Sequence, residues 1–219
     1  MIGLHRSGSS CLAGALHNLG VHMGERLTGY EPTGGFEAAE LMAICESAYP
    51  FPRTEPALPQ TEIFAEMRRY VAKVCTTAAN RGSQLAGGKY PHLCAMGATL
   101  QYACGEQLRL VHIDRPLEES IASLKERSRK ATGFLAAGDA EVEHVQRWLW
   151  HEKQELLGRV SHVDVMFADL LAAPRREVER VASWLEMTPS EEAIAKAVDH
   201  VRPKRGERST MSWKRALRR

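Results

Sequence analysis

A chain of 219 residues with 44% hydrophobic and 26% charged side chains holds enough apolar material for one packed α/β domain, which excludes global disorder. A net charge of +2 is too small to argue for nucleic acid, and no run approaches the roughly 18 apolar residues of a membrane span or has the pattern of a signal peptide. Five cysteines, with no CxxC pair and no zinc-type Cys/His spacing, leave a reduced, cytoplasmic protein as the simple expectation.

In chain order, Met1 to Leu4 reads as the end of a strand and Ser9 to Leu19 as a helix. Further helices are expected over Phe36 to Tyr49 and Thr61 to Ala79. Between them Tyr49 to Pro59 carries four prolines and reads as an irregular surface connection. A short strand over Gln84 to Tyr90 precedes a helix from about Leu93 to Cys104. Gln107 to Ile113 is a better strand, since Leu108, Leu110 and Val111 suit a buried sheet. Helices follow over Leu117 to Lys130 and Glu141 to Leu157, the latter with charges on one side. A strand over His162 to Phe167 leads to helices over Arg175 to Leu185 and Ser190 to Val198. Strands alternating with helices imply a parallel sheet covered on both faces, with ligands at the carboxyl ends of the strands. Trp148, Trp150 and Trp184 are expected as core or interface aromatics, and Cys11 as a packing residue. His144 and His151 share a helix seven residues apart without an evident third metal ligand.

The run Gly3-Leu4-His5-Arg6-Ser7-Gly8-Ser9-Ser10 joins a strand to a helix. Glycines let an anion approach the backbone, and amides at a helix N-terminus present positive partial charge to it. Ser7, Ser9 and Ser10 add hydroxyl donors and Arg6 a forked cation. A nucleoside-triphosphatase loop, GxxxxGK[ST], would need lysine where Ser9 stands, which weakens a kinase or ATPase reading. The bland alternative is a serine-capped turn.

Arg6-Ser7-Gly8-Ser9-Ser10 resembles the 5′-phosphosulfate loop of sulfotransferases, roughly [KR]-S-G-[ST]-[ST]. The longer run GLHRSGSSCLAGALHNLGV is similar to bacterial members of that superfamily. In that family an arginine at a strand end and a serine eight residues later hold the donor's 3′-phosphate. Arg115 and Ser123, in RPLEESIAS, stand at that spacing. Taken alone, Arg115 could equally pair with Glu118 or Glu119 on the surface. Phe167 to Pro174 resembles the family's YEDLLADP segment, and Gly88 to Leu93 a strand-end segment lining its active site.

The resemblance implies a single domain over 1–219 with a helix-rich, P-loop NTPase-like sulfotransferase fold: three α/β/α layers around a parallel sheet. It implies transfer of a sulfuryl group from 3′-phosphoadenosine-5′-phosphosulfate (PAPS) to a hydroxyl or amine, with 3′,5′-adenosine bisphosphate (PAP) as product and no metal required. Gly3, His5, Arg6, Ser7, Gly8, Ser9, Ser10, Arg115 and Ser123 would bind the donor. Arg6 would replace the usual lysine as leaving-group cation. Two residues compete as general base: Glu37, after Gly34-Gly35-Phe36, and His92. Glu37 is preferred, and Lys89 would reach the sulfuryl oxygens. The basic tail 202–219 is expected as a solvated, frayed end or a phosphate-facing flap through Arg202, Lys204 and Arg205.

The acceptor, whether saccharide, peptide or small molecule, stays open. So does a homodimer, and no nucleic acid partner is expected. Rival readings are a P-loop phosphotransferase, with Asp114 as the magnesium carboxylate, and a non-catalytic nucleotide-binding protein. The latter is prompted by the two residues preceding Gly3 where the family has a full first strand.

Overall fold

A computed structural model describes residues 1–28, 35–129 and 137–201. The regular elements are α1 (Ser9–Asn18), α2 (Ala39–Ala48), α3 (Gln60–Asn80), α4 (Gly97–Cys104), β1 (Leu110–Asp114), α5 (Leu117–Ser128), α6 (Asp139–Leu157), β2 (His162–Met166), α7 (Phe167–Ala172), α8 (Pro174–Trp184) and α9 (Glu191–Val201). Short 3-10 turns occupy Pro91–Ala95 and Gly105–Gln107.

β1 and β2 are parallel, with Leu110 opposite His162 and Asp114 opposite Met166. On the other side of β1, Ile2 forms a parallel bridge to His112. Its amide donates to Val111 at 2.9 Å, and its carbonyl accepts from Ile113 at 3.0 Å. Beyond it runs the segment 84–88, reached by the Met1 amine donating to the Gly88 carbonyl at 2.9 Å. That segment forms a parallel bridge between Ala86 and His22 at the far side.

Strand side chains alternate faces, and this splits the core in two. Ile2, Leu4 and Leu110 join one buried cluster with residues of α2, α3, α4 and α6. Val111, Ile113, Val163 and Val165 join a second with residues of α1, α7, α8 and α9. The sheet is thus covered by helices on both faces, the α/β/α arrangement expected. A hollow of about 530 Å³ separates segment 84–88 from β1 below Met1, lined by Leu16, Met23, Met67, Leu93 and Leu100 among others. It lies at the N-terminal ends of the strands, away from the glycine- and serine-rich loop.

Several boundaries differ from expectation for local reasons. Phe36 has φ 53°, a left-handed conformation outside the helical region, so α2 begins only at Ala39. The expected helix from Leu93 is a 3-10 turn and then α4, parted at Met96 (φ −107°, ψ 29°). The segments over Met1 to Leu4 and Gln84 to Tyr90 each make single bridges rather than a ladder. Adjacent Gly87 and Gly88 supply no side chains to stiffen the second. α7 was not expected: the chain passes from β2 straight into a helix at Phe167. Trp148 and Trp184 pack against the core as expected, whereas Trp150 is 40% exposed. Cys11 is buried in the core, and desolvation pushes its thiol up to about 12, which suits packing rather than reactivity.

Candidate functional site

The loop between Ile2 and α1 is held in a wound shape. Arg6 has φ 63° and Gly8 φ 91°. Gly8 is the N-cap of α1, and its carbonyl accepts from the amides of Cys11 and Leu12. A side chain at Gly8 would collide with the Phe167 ring, and one at Gly3 would sit 2.6 Å from Ile113. Glycine is therefore needed at both positions, in the first for its conformation as well as for space. Ser7 turns inward, its hydroxyl donating to the Leu4 carbonyl at 2.8 Å, so it braces the turn. Arg6 carries a side chain in a conformation that typically costs about 1–3 kcal/mol and persists only where neighbours hold it.

Those neighbours include the second set of residues. Arg115 follows the end of β1, and its Nη1 donates to the Arg6 carbonyl at 3.1 Å. Its Nε donates to Glu119 at 3.2 Å, and its guanidinium lies 5.8 Å from the Phe167 ring centroid. Arg6 Nε in turn donates to the Ser123 hydroxyl at 3.3 Å, from the second turn of α5. Arg6 thus forms one polar cluster with Arg115 and Ser123, each more than a hundred positions away in sequence, beside the N-terminus of α1. Burial lowers the Arg6 pKa from its ordinary value, with Glu126 opposing. Two guanidinium groups and the amides of a helix start make an environment suited to a multiply charged phosphate ligand.

On the other flank of the loop stands an ion pair. Lys89 is 2% exposed, and its Nζ donates to Glu37 Oε1 at 2.5 Å and to the Ser10 hydroxyl at 3.3 Å. Burial lowers the Lys89 pKa while Glu37 holds it up. The second carboxylate oxygen of Glu37 accepts from Thr28 Oγ1 at 3.4 Å. Glu37 is thereby tied through one lysine to the first turn of α1.

His92 is fully buried, and neither ring nitrogen has a hydrogen-bond partner among the described residues. Its ring stacks on Tyr90 and meets His5 edge-on. Desolvation lowers its pKa to about 4, so it is a neutral imidazole at ordinary pH. His5 is lowered as well, first by burial and then by its neighbours His92 and Lys89.

The expected site residues thus divide by place. Gly3, His5, Arg6, Ser7, Gly8, Ser9 and Ser10 form the loop and its helix start. Arg115 and Ser123 adjoin Arg6. Lys89 and Glu37 adjoin Ser10, and His92 lies in the interior against His5, Tyr90 and Trp148. Arg202, Lys204 and Arg205 lie outside the described residues. Asp114, the carboxylate a phosphotransferase would need for magnesium, is engaged by buried Lys153 at 2.8 Å. Phe167, which lies against both Gly8 and Arg115, was not singled out as an organiser of the site. Its place as the buried aromatic at the end of β2 was the available signal.

No family model and no curated protein matches the sequence. Among solved structures, the chain shares its fold with the sulfotransferase domain of the olefin synthase from Synechococcus PCC 7002. That match has a TM-score of 0.55 at 18% identity, covering 91% of this chain and 77% of that one. The architecture is therefore a sulfotransferase-type α/β fold, with the phosphate-suited loop at the carboxyl end of its sheet.

Proposed function

We propose that this protein is a PAPS-dependent sulfotransferase. The observation that carries the reading is the meeting of the Arg6 loop with Arg115 and Ser123. A 5′-phosphosulfate on the α1 amides and a 3′-phosphate on Arg115 and Ser123 would occupy this cluster together. PAP is the adenine nucleotide that carries phosphate at both of those positions.

In this reading the acceptor hydroxyl attacks sulfur in line. The sulfur–acceptor bond forms as the bond from sulfur to the bridging oxygen breaks. Negative charge grows on the oxygens of departing PAP, where Arg6 and the α1 amides oppose it. Arginine stabilises that charge without readily giving up a proton. The acceptor proton would pass to the carboxylate of Glu37, a role supported by the tie through Lys89 to Ser10. Lys89 would then face the sulfuryl oxygens as Glu37 takes the proton. His92, interior and neutral, is the rival base, and would need the Tyr90 and His5 rings to open a path.

The direct experiment is incubation of the purified chain with sulfur-labelled PAPS and panels of saccharide, peptide and small alcohol or amine acceptors. Label transfer that is lost in Arg6→Ala supports the reading. PAP binding without transfer to any class would favour a non-catalytic nucleotide-binding protein.

A further inference from the structure

α6 buries a strip made of Val142, Val145, Gln146, Leu149, Lys153 and Leu156. Spacing of this kind marks one face of a helix, and a core-facing strip is normally apolar throughout. Gln146 and Lys153 break the pattern, at 0% and 1% exposure. They are seven residues apart, about two turns, so they lie on the same side of the helix. Each reaches a distant partner. Gln146 Nε2 donates to the His5 carbonyl at 3.0 Å, and Lys153 Nζ donates to Asp114 Oδ1 at 2.8 Å. His5 is the residue before Arg6, and Asp114 is the residue before Arg115. One face of one helix therefore grips the chain immediately ahead of each arginine of the candidate site.

Stability alone does not explain this arrangement. A buried polar group costs free energy unless it is paired, and apolar residues of similar volume often pack as well or better than a buried ion pair. The Gln146 carbonyl oxygen is buried and has no hydrogen-bond partner among the described residues. What the two contacts do fix is geometry. Arg6 is held with φ 63°, and its flanking peptides are pinned from both sides. Gln146 takes the carbonyl before it, and Arg115 takes its own carbonyl. Lys153 holds the Asp114 carboxylate at the point where Arg115 leaves β1. His112 stands 3.6 Å from the same carboxylate, and His112 and Lys153 hold the Asp114 carboxyl well below the usual carboxylate range. Asp114 therefore stays charged and keeps its grip on Lys153.

We infer that Gln146 and Lys153 are positioning residues of the nucleotide site. Gln146 sets the Arg6 peptide, and with it the amides facing the phosphosulfate end of the donor. Lys153, through Asp114, aims Arg115 and so sets the preference for a 3′-phosphorylated nucleotide. The inference rests on the PAPS reading of the same cluster.

Calorimetric titration with PAP and with AMP tests it, using the wild-type chain, Lys153→Met, the double variant Lys153→Met/Asp114→Asn, and Gln146→Leu. Lys153→Met is expected to lower the PAP-over-AMP affinity ratio about tenfold or more while AMP affinity changes little. The double variant leaves no unpaired carboxylate; it should regain melting temperature yet keep the low ratio, and it decides the matter if Lys153→Met alone does not fold. Gln146→Leu should weaken PAP and AMP together and leave the ratio as it was. A merely structural Lys153 would lower the melting temperature and keep the wild-type ratio in both variants, which overturns its positioning role. Unchanged affinities in Gln146→Leu overturn the role of Gln146. A wild-type chain without any preference for PAP overturns the PAPS reading and the inference together; a wild-type preference that survives both Lys153 variants overturns the Lys153 role alone.

Discussion

The Arg115 guanidinium donates to the carbonyl oxygen of Arg6, 109 positions away in sequence, at 3.1 Å. The bond joins the end of β1 to the left-handed residue of the loop. It leaves both guanidinium groups beside the N-terminus of α1, with the Phe167 ring against Arg115. Candidate phosphate-binding elements from opposite halves of the chain are thereby held against each other. Such preorganisation lowers the ordering cost of binding.

Gly8 is the tightest point of this arrangement. Gly8→Ala adds a methyl where φ is 91° and the Phe167 ring already fills the space. Urea unfolding should show a loss of about 1–3 kcal/mol. PAP affinity should fall with it, because the α1 amides must move to relieve the clash. Wild-type stability in this variant would mean that Phe167 does not pack over the loop.

Arg6→Ala separates binding from chemistry. With Arg6 acting on charge that develops on the leaving group, turnover at saturating donor should drop about 100-fold or more, the usual scale for such donors. PAP binding should weaken far less, since the α1 amides and Arg115 remain. Equal losses in turnover and in PAP affinity, measured side by side, would assign Arg6 to uniform binding instead.

Glu37→Gln keeps size and polarity and cannot accept a proton. Label transfer should fall about 100-fold or more with PAP affinity nearly intact. The substitution also takes the counter-charge from buried Lys89, so some loss of melting temperature should accompany it. His92→Gln is the matched control and should transfer normally. The opposite pattern in single-turnover assays would move the base to His92.

Acid should weaken the fold in two stages. His92 has its pKa lowered from 6.5 to about 4 by burial, so between those values the unfolded chain binds a proton that the folded chain refuses. Stability from this group is full above pH 6.5 and is lost as pH falls toward 4, by ~1.4 kcal/mol per pH unit at most. Asp114 is lowered from 3.8, so its contribution is present above that value and is lost only as pH falls further. Denaturant titrations of His92→Leu should show the first slope reduced, with His5 and His17, also lowered by burial, keeping the remainder, and the second kept. A wild-type chain with flat stability from pH 6.5 to 4.5 would contradict the sealed, unpartnered setting of His92.

Local signals made much of this legible in the sequence. Glycine spacing and clustered hydroxyls marked the loop and α1. The apolar runs marked β1 and β2, and with them the strand end where Arg115 stands. The resemblance implied that Arg115 and Ser123 share one ligand; in the structure both adjoin Arg6, and Ser123 accepts its bond from it. What the sequence hid depends on contacts between distant segments. Gln146 and Lys153 belong to a helix read only as charged on one side, and only the tertiary fold turns them onto His5 and Asp114. Phe36 gave no sign of its left-handed backbone, which delays α2 until Ala39. α7 was hidden because Phe167 continues the apolar alternation of β2 while already starting a helix.

In the proposed reading, one cluster recognises phosphate at both ends of a 3′,5′-bisphosphorylated adenosine. Isothermal titration of the wild-type chain with PAP and with AMP tests it most directly, with Arg115→Ala and Ser123→Ala as the paired variants. A charge-assisted contact contributes about 1.5–3 kcal/mol. PAP should therefore bind at least about tenfold tighter than AMP, and the gap should close in Arg115→Ala and narrow in Ser123→Ala while AMP affinity is retained. Equal affinity of the wild-type chain for PAP and AMP would rule out recognition of the 3′-phosphate by this cluster.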